Sequence, residues 1–206
     1  LILQHFRSYA KAEFTFDKNT TLIVGPNTSG KTNLIEGVTL LSLGKSIRTD
    51  KDTQMMQFGK QIARVKGLAN DTELEVVIVS QDNDKGTPQS KKYLVNGVSK
   101  RRVDFSGNLL SVLFSPLDLE IIVGSPGLRR AFLDTVLEQV DHEYRLATVQ
   151  YGKALRQRNA LLERVNDTGR RDEKHFTYWD NILIEQGGII TSKREAFIGF
   201  LNKAQK

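Results

Sequence analysis

Apolar and polar residues alternate near the start of the chain and take up a helical rhythm in its second half. Leu1-Ile2-Leu3-Gln4-His5-Phe6-Arg7-Ser8-Tyr9 alternates and then breaks, and Ala12-Glu13-Phe14-Thr15-Phe16 sets polar residues between aromatic ones. Together they predict a hairpin. It leads into Thr20-Thr21-Leu22-Ile23-Val24, a β-branched apolar run that reads as a buried strand. Residues 33–41 predict a helix, and Thr49 or Asp50 is placed to cap a short helix running through Met56. Residues 61–69 and 72–80 read as strands joined at the turn signal Asn70-Asp71. A polar loop over residues 82–92 follows. Tyr93-Leu94-Val95 then faces Val98 across an Asn96-Gly97 turn, a strong hairpin signature. Residues 109–114 read as a further buried strand.

Beyond Ser115 the period changes. Ser115-Pro116 and Ser125-Pro126 each pair an N-cap with proline at the first helical position. Residues 126–140 carry Leu128, Phe132, Leu133, Val136 and Leu137 at helical spacing. A long helix is predicted over residues 142–165, with Tyr144, Ala147, Tyr151, Ala154 and Leu155 on its apolar face. The polar stretch 166–172 breaks it, and residues 175–204 resume with Phe176, Trp179, Leu183, Ile190, Phe197 and Leu201. Two such stripes suit an antiparallel helix pair, and stripe spacing makes Trp179 a core residue rather than a platform for a base. The pattern divides the chain into an α/β lobe over residues 1–114, with much antiparallel strand, and an all-helical arm over residues 115–206. The first residue is Leu and the last helix runs to the end, so both ends read as cut.

The chemistry lies between the third predicted strand and the first helix. Gly25-Pro26-Asn27-Thr28-Ser29-Gly30-Lys31-Thr32 fills G-x-x-x-x-G-K-[ST], the Walker A phosphate loop, in the strand–loop–helix context that it requires. Glycines let the backbone wrap closely around phosphate, and the loop N–H groups form an anion nest at a helix N-terminus. Lys31 then reaches the β- and γ-phosphates, and the Thr32 hydroxyl ligates Mg²⁺. A Mg-nucleotide is the expected ligand. Hydrolysis also needs an acid closing an apolar strand. Residues 76–82 and 109–118 come nearest, and neither has an acid at the strand end. No Ser-Gly-Gly helix start is present either. The expectation is a chain that binds nucleotide but does not complete hydrolysis by itself.

Composition adds less. The 206 residues carry a net charge of +6 and no cysteine, which excludes disulfides and thiolate metal sites and fits a reducing cytoplasm. No apolar run has the length of a membrane span. A basic balance is compatible with nucleic acid. Lys45 and Arg48, after the first helix, are candidates to meet phosphate of either ATP or DNA. Arg129 and Arg130 sit early on a helix, where positive charge opposes the dipole, so a partner, acid or phosphate, is expected, and both are candidates to meet DNA. Lys153, Arg156 and Arg158 read as a solvated helix face. His5, His142 and His175 have no metal-ligand spacing.

Several stretches, in order and over nearly the whole chain, resemble the RecF family of bacterial DNA replication and repair proteins. They are Phe6-Arg7-Ser8-Tyr9, Gly25 to Thr32 with Asn33-Leu34-Ile35-Glu36, Leu43-Gly44-Lys45-Ser46-Ile47-Arg48-Thr49, Leu113-Phe114-Ser115-Pro116 with Asp118-Leu119, Gly124-Ser125-Pro126 with Arg129-Arg130-Ala131-Phe132-Leu133-Asp134, and Gln150-Tyr151 with residues 155–162. The resemblance implies an ABC-type ATPase head related to SMC proteins, in the cytoplasm. It implies ATP and DNA binding, an ATP-dependent homodimer, and action with RecO and RecR at gaps between single- and double-stranded DNA. There such proteins help place recombinase and serve replication restart and the SOS response. It places Arg7 near the nucleotide base. It also puts the strand-end acid and the signature helix further along such proteins, with a weak DNA-dependent ATPase in the full-length form. Leu117 departs from the family's usual acid before Asp118, so no metal or water role is carried over to that loop. Two other readings stand beside this one: the head of another SMC-like ATPase, and a phosphate-loop kinase of a small substrate.

Overall fold

The computed structural model describes residues 1–49, 51–80, 90–171 and 173–204, which fall into two compact units, Leu1–Phe114 and Ser115–Lys206. In the first unit, β1 (Ile2–Phe6) and β2 (Tyr9–Glu13) form the opening hairpin, followed by α1 (Lys31–Leu43) and a 3-10 turn at Asp52–Met55. Then come β3 (Ile62–Ala69), β4 (Thr72–Val79), β5 (Ser90–Val95), β6 (Val98–Lys100) and the short α2 (Arg102–Phe105). The strands make one sheet in the order β2-β1-β3-β4-β5-β6, antiparallel at every described pairing.

Register explains the core. Leu3 faces Val65, Val65 faces Val76, and Val76 faces Tyr93, so one face of the sheet carries an apolar row across four strands. Leu34, Leu40 and Leu41 of α1 join Leu3, Val65 and Val76 in a single buried cluster with Phe6, Met55 and Phe105. The other face is polar, with Arg64 paired to Glu75 at 2.9 Å and Lys66 to Glu73 at 2.7 Å. Both hairpin turns use the positive φ that the sequence signals: Asn70 and Asp71 at 46° and 64°, Asn96 and Gly97 at 50° and 76°.

Two apolar runs do not become the strands that their composition predicts. Residues 20–24 and 109–114 carry no strand and pair with none among the described residues. Leu22, Val24, Val112 and Phe114 are 80% exposed or more. Such runs suit a strand buried on both faces, but a ladder needs a neighbour, and no described strand lies beside them. The expected loop over residues 82–92 falls mostly outside the described residues, and Ser90 to Lys92 belong to β5. The capped helix expected near Thr49 is the 3-10 turn at Asp52–Met55, preceded by Lys51 with no side-chain cap. Asp50 lies outside the described residues.

In the second unit a 3-10 turn at Pro116–Leu119 precedes α3 (Glu120–Val123), α4 (Pro126–Val140), α5 (His142–Thr168) and α6 (Glu173–Ala204). The predicted stripes of α5 and α6 meet: Tyr144 and Ala147 pack with Leu137 and Ile190. Tyr144 is fully buried, and its hydroxyl donates to Asp134. Arg194 clasps both, donating to Asp134 Oδ1 from Nη2 at 2.7 Å and to Tyr144 Oη at 3.0 Å. Trp179, expected in the core, is half-buried and stands edge-on to Tyr178. No described helix is long and apolar enough to cross a membrane.

Asp141 ties the three long helices together. Its carboxylate caps α5 by accepting the Tyr144 N–H at 2.9 Å and receives Lys193 Nζ from α6 at 2.7 Å. Burial pushes its pKa up, but the hydrogen bonds from Lys193 and Tyr144 and the Lys193 charge outweigh burial and hold it below the ordinary 3.8. A carboxyl depressed on folding stabilises the protein above its unfolded value, and this stabilisation is lost as pH falls through the folded one. Asp141→Asn keeps a capping side chain and removes the charge. It should cost about 1 kcal/mol at pH 7 and almost nothing once the pH lies below the folded pKa, where the wild-type carboxyl is itself neutral. Urea unfolding followed by Trp179, the sole tryptophan, reads this unit directly. An acid limb as steep in the variant as in the wild type would rule out this role.

Candidate nucleotide-binding site

The phosphate loop stands between the β1–β2 turn and α1. Gly30 is the N-cap of α1 at φ 100°, and Thr28 also takes positive φ, at 68°. The helix makes its first backbone bond from Leu34 N–H to the Gly30 carbonyl at 2.9 Å. The N–H groups of Gly30, Lys31, Thr32 and Asn33 have no partner among the described residues. These are the orphan donors of a helix start, and they carry the positive end of its dipole. Lys31 folds back over the loop, its Nζ donating to the carbonyls of Gly25 at 2.8 Å and Pro26 at 2.7 Å. The Thr32 side chain is exposed and has no hydrogen bond among the described residues.

The opening hairpin braces this loop. Tyr9 Oη donates to the Gly30 carbonyl at 3.2 Å, and Asn33 Nδ2 donates to Ser8 Oγ at 2.9 Å. Tyr9 is itself held edge-on to Phe14, with ring centroids 5.5 Å apart.

One turn beyond Thr32, the fully buried Glu36 gathers a cluster that sequence reading missed. Arg7 grips it with two bonds, Nε to Oε2 at 2.9 Å and Nη2 to Oε1 at 2.6 Å. Ser46 Oγ donates to Oε1 at 2.6 Å, and Arg48 Nη1 reaches Oε2 at 3.3 Å. Burial raises the Glu36 pKa, but bonds from Arg7 and Ser46 and the charges of Arg7 and Arg48 bring it below its ordinary value. A signal was present in the chain. Its neighbours three and four residues away are Asn33, Thr39, Thr32 and Leu40, none of them a cation. A lone acid on such a helix needs a partner from elsewhere.

The predicted residues Gly25, Pro26, Asn27, Thr28, Ser29, Gly30, Lys31 and Thr32 therefore lie in one loop and helix start. Arg7 and Arg48 converge on Glu36. Lys45 follows the C-cap glycine of α1 and is half-buried. Arg129 and Arg130 belong to the helical unit. The partner of Arg129 is neither acid nor phosphate but the end of α3, whose Ile121, Ile122 and Gly124 carbonyls accept from its Nη1 at 3.1–3.4 Å. That relieves the charge early on α4 by capping the helix before it. Arg130 is exposed. No group of three or more described His, Asp or Glu residues is placed to hold a metal ion.

Residues 1–182 match the family model of the AAA domain. The chain belongs to that family. Within it the chain is similar to the DNA replication and repair protein RecF of Leptospira interrogans, 33% identical over 202 residues, covering 98% of this chain and 54% of that protein. RecF of Thermosynechococcus vestitus is 37% identical over 202 residues, covering 96% and 52%. Two solved structures of the recombination mediator protein RecF of the RecFOR pathway, one with ATP and one with ATPrS, superpose with a TM-score of 0.83 at 32% identity. Each match covers 96% of this chain. The chain spans about half the length of the relatives it matches. The resemblance carried by the motifs thus extends along nearly all of it, and the α/β lobe followed by helices is the fold of RecF over that span.

Proposed function

We propose that this chain is the nucleotide-binding part of a RecF-like ATPase of DNA repair. The observation that supports it most is the start of α1, where four unpartnered N–H groups lie beside Lys31 and Thr32. Phosphate oxygens accept from those N–H groups, and Lys31 exchanges its two loop carbonyls for the β- and γ-phosphates. The open Thr32 hydroxyl fits a Mg²⁺ ligand, and the metal's contribution would be to neutralise phosphate charge. The acid that orients an attacking water belongs, in this reading, to the part of RecF-like proteins that this chain does not span.

The remaining steps follow the RecF resemblance. ATP draws two copies together in the cytoplasm. The dimer holds duplex DNA and single-strand/double-strand junctions, and with RecO and RecR it helps load recombinase during repair, replication restart and the SOS response. Lys45, Arg48, Arg129 and Arg130 are the cations that this reading offers to DNA. Arg48 is the weakest of these, because Glu36 and Asn33 already hold it against α1. Sedimentation of the full-length protein with gapped DNA tests the reading. Mg-ATP should produce a dimer that binds DNA, with affinity falling steeply as salt rises. DNA binding that ignores ATP, or ATP binding without any effect on assembly, would sink the clamp and leave only a nucleotide site.

A further inference from the structure

We propose that Glu36 is the positioning residue of the phosphate site, fixing Arg48 against the first turns of α1 as a preset cation for nucleotide phosphate, with Arg7 as its permanent counter-ion. The inference rests on the nucleotide reading above and changes the part assigned to Arg7.

The two arginines are used differently. Arg7 spends its donors inside the protein. Nε and Nη2 go to Glu36, and Nη1 goes to the Gln54 carbonyl. Its backbone is held at φ 53°, and its N–H donates to the Met55 carbonyl at 2.7 Å. A non-glycine residue in that region is strained, and it persists only where the surroundings over-determine it. Here the Glu36 carboxylate on one side and the 3-10 turn on the other do so. Arg7 is therefore fixed, and its side chain is only 17% exposed.

Arg48 is anchored by one nitrogen alone. Nη1 meets Asn33 Oδ1 at 3.1 Å and Glu36 Oε2 at 3.3 Å, while Nε and Nη2 have no partner among the described residues. Its side chain is 45% exposed. Asn33 directly follows Thr32, so the guanidinium stands alongside the first turn of α1 with its free donors available. Two cations on one carboxylate leave a net positive charge there, in the field of a helix N-terminus. A preset guanidinium loses less freedom on gripping phosphate than a loose one. Ser46 completes the arrangement: its hydroxyl donates to Glu36 and accepts the Arg48 backbone N–H at 3.0 Å, so the Arg48 backbone hangs on the same carboxylate.

The test is a coupling cycle in the full-length protein, reading the Mg-ATP Kd and the thermal midpoint of each variant. Arg48→Ala should weaken Mg-ATP about tenfold, the size of one charge-assisted bond. Glu36→Gln keeps the shape and removes the charge, and it should weaken Mg-ATP by a similar factor. The double variant should be no weaker than either single one, because both remove the same contact. Factors that multiply in the double variant would overturn the proposal, as would a Glu36→Gln protein that melts earlier but binds within twofold of wild type. Should Glu36→Gln not fold, Ser46→Ala takes its place. An effect of about threefold that vanishes in the Arg48→Ala background supports the positioning role, and one that persists undiminished overturns it. A folded wild type that binds no Mg-ATP refutes the nucleotide reading itself, and this proposal with it.

Discussion

Gly30→Ala is expected to damage the phosphate site far more than one methyl group usually does. A residue at φ 100° already lies outside the range of ordinary side chains, a cost of about 1–2 kcal/mol. The added Cβ would lie 2.8 Å from Tyr9 Oη, 3.0 Å from Tyr9 Cζ and 3.1 Å from Ser8 Oγ. These atoms cannot swing away freely. Tyr9 is packed on Phe14 and bonded to the Gly30 carbonyl, and Ser8 is bonded to Asn33. Relief must come from the loop, which carries the unpartnered N–H groups out of line. We expect the Mg-ATP Kd to rise about 30-fold or more, with stability lower by about 2–3 kcal/mol. Gly59→Ala is the control, since Gly59 has φ 73° and nothing within 4 Å of an added Cβ. It should lose about 1 kcal/mol of stability and leave nucleotide affinity unchanged. Isothermal titration beside denaturant melts separates the two effects. Equal damage from the two substitutions would mean that strain, and not the brace of Ser8 and Tyr9, governs the loop.

What could be read from the chain in advance was local. The Walker loop depends on residues a few places apart, and glycine and lysine at fixed offsets state their geometry outright. Asn70-Asp71 and Asn96-Gly97 were legible for the same reason: each turn needs its own positive φ values, and its own residues supply them. The helices declared themselves through period, cap and proline, to within a few residues at their ends. Residues 20–24 and 109–114 failed because a strand is a pairing. Their apolar content reports what they suit, not what lies beside them. Glu36 failed differently. A glutamate inside a helix is ordinarily a solvated residue, and only the lack of a cation three or four places away set this one apart. Its partners come from 29 residues earlier and from 10 and 12 residues later. Only the folded chain shows that the hairpin, the Walker helix and the loop after it share one carboxylate.

Lys31→Met should separate binding from folding. The Lys31 ammonium is satisfied by two carbonyls of its own loop at an exposed position. Exposed bonds contribute little net stability, about 0.5–1 kcal/mol, and methionine keeps the unbranched stem. The thermal midpoint should therefore move by no more than about 4 °C. The bound state differs. With a nucleotide bound as proposed, the ammonium would face phosphate oxygens, and each charge-assisted bond is worth about 1.5–3 kcal/mol. Losing them should raise the Mg-ATP Kd about 100-fold or more. Lys31→Arg should not restore it, since a planar fork cannot occupy the place of a compact ammonium that reaches past two carbonyls. Titration of both variants, beside a melting curve of each, decides the matter. Binding lost at an unchanged midpoint makes Lys31 the phosphate cation. Binding within a few-fold of wild type would mean that the loop holds something other than a nucleotide's phosphates, whatever its sequence resembles.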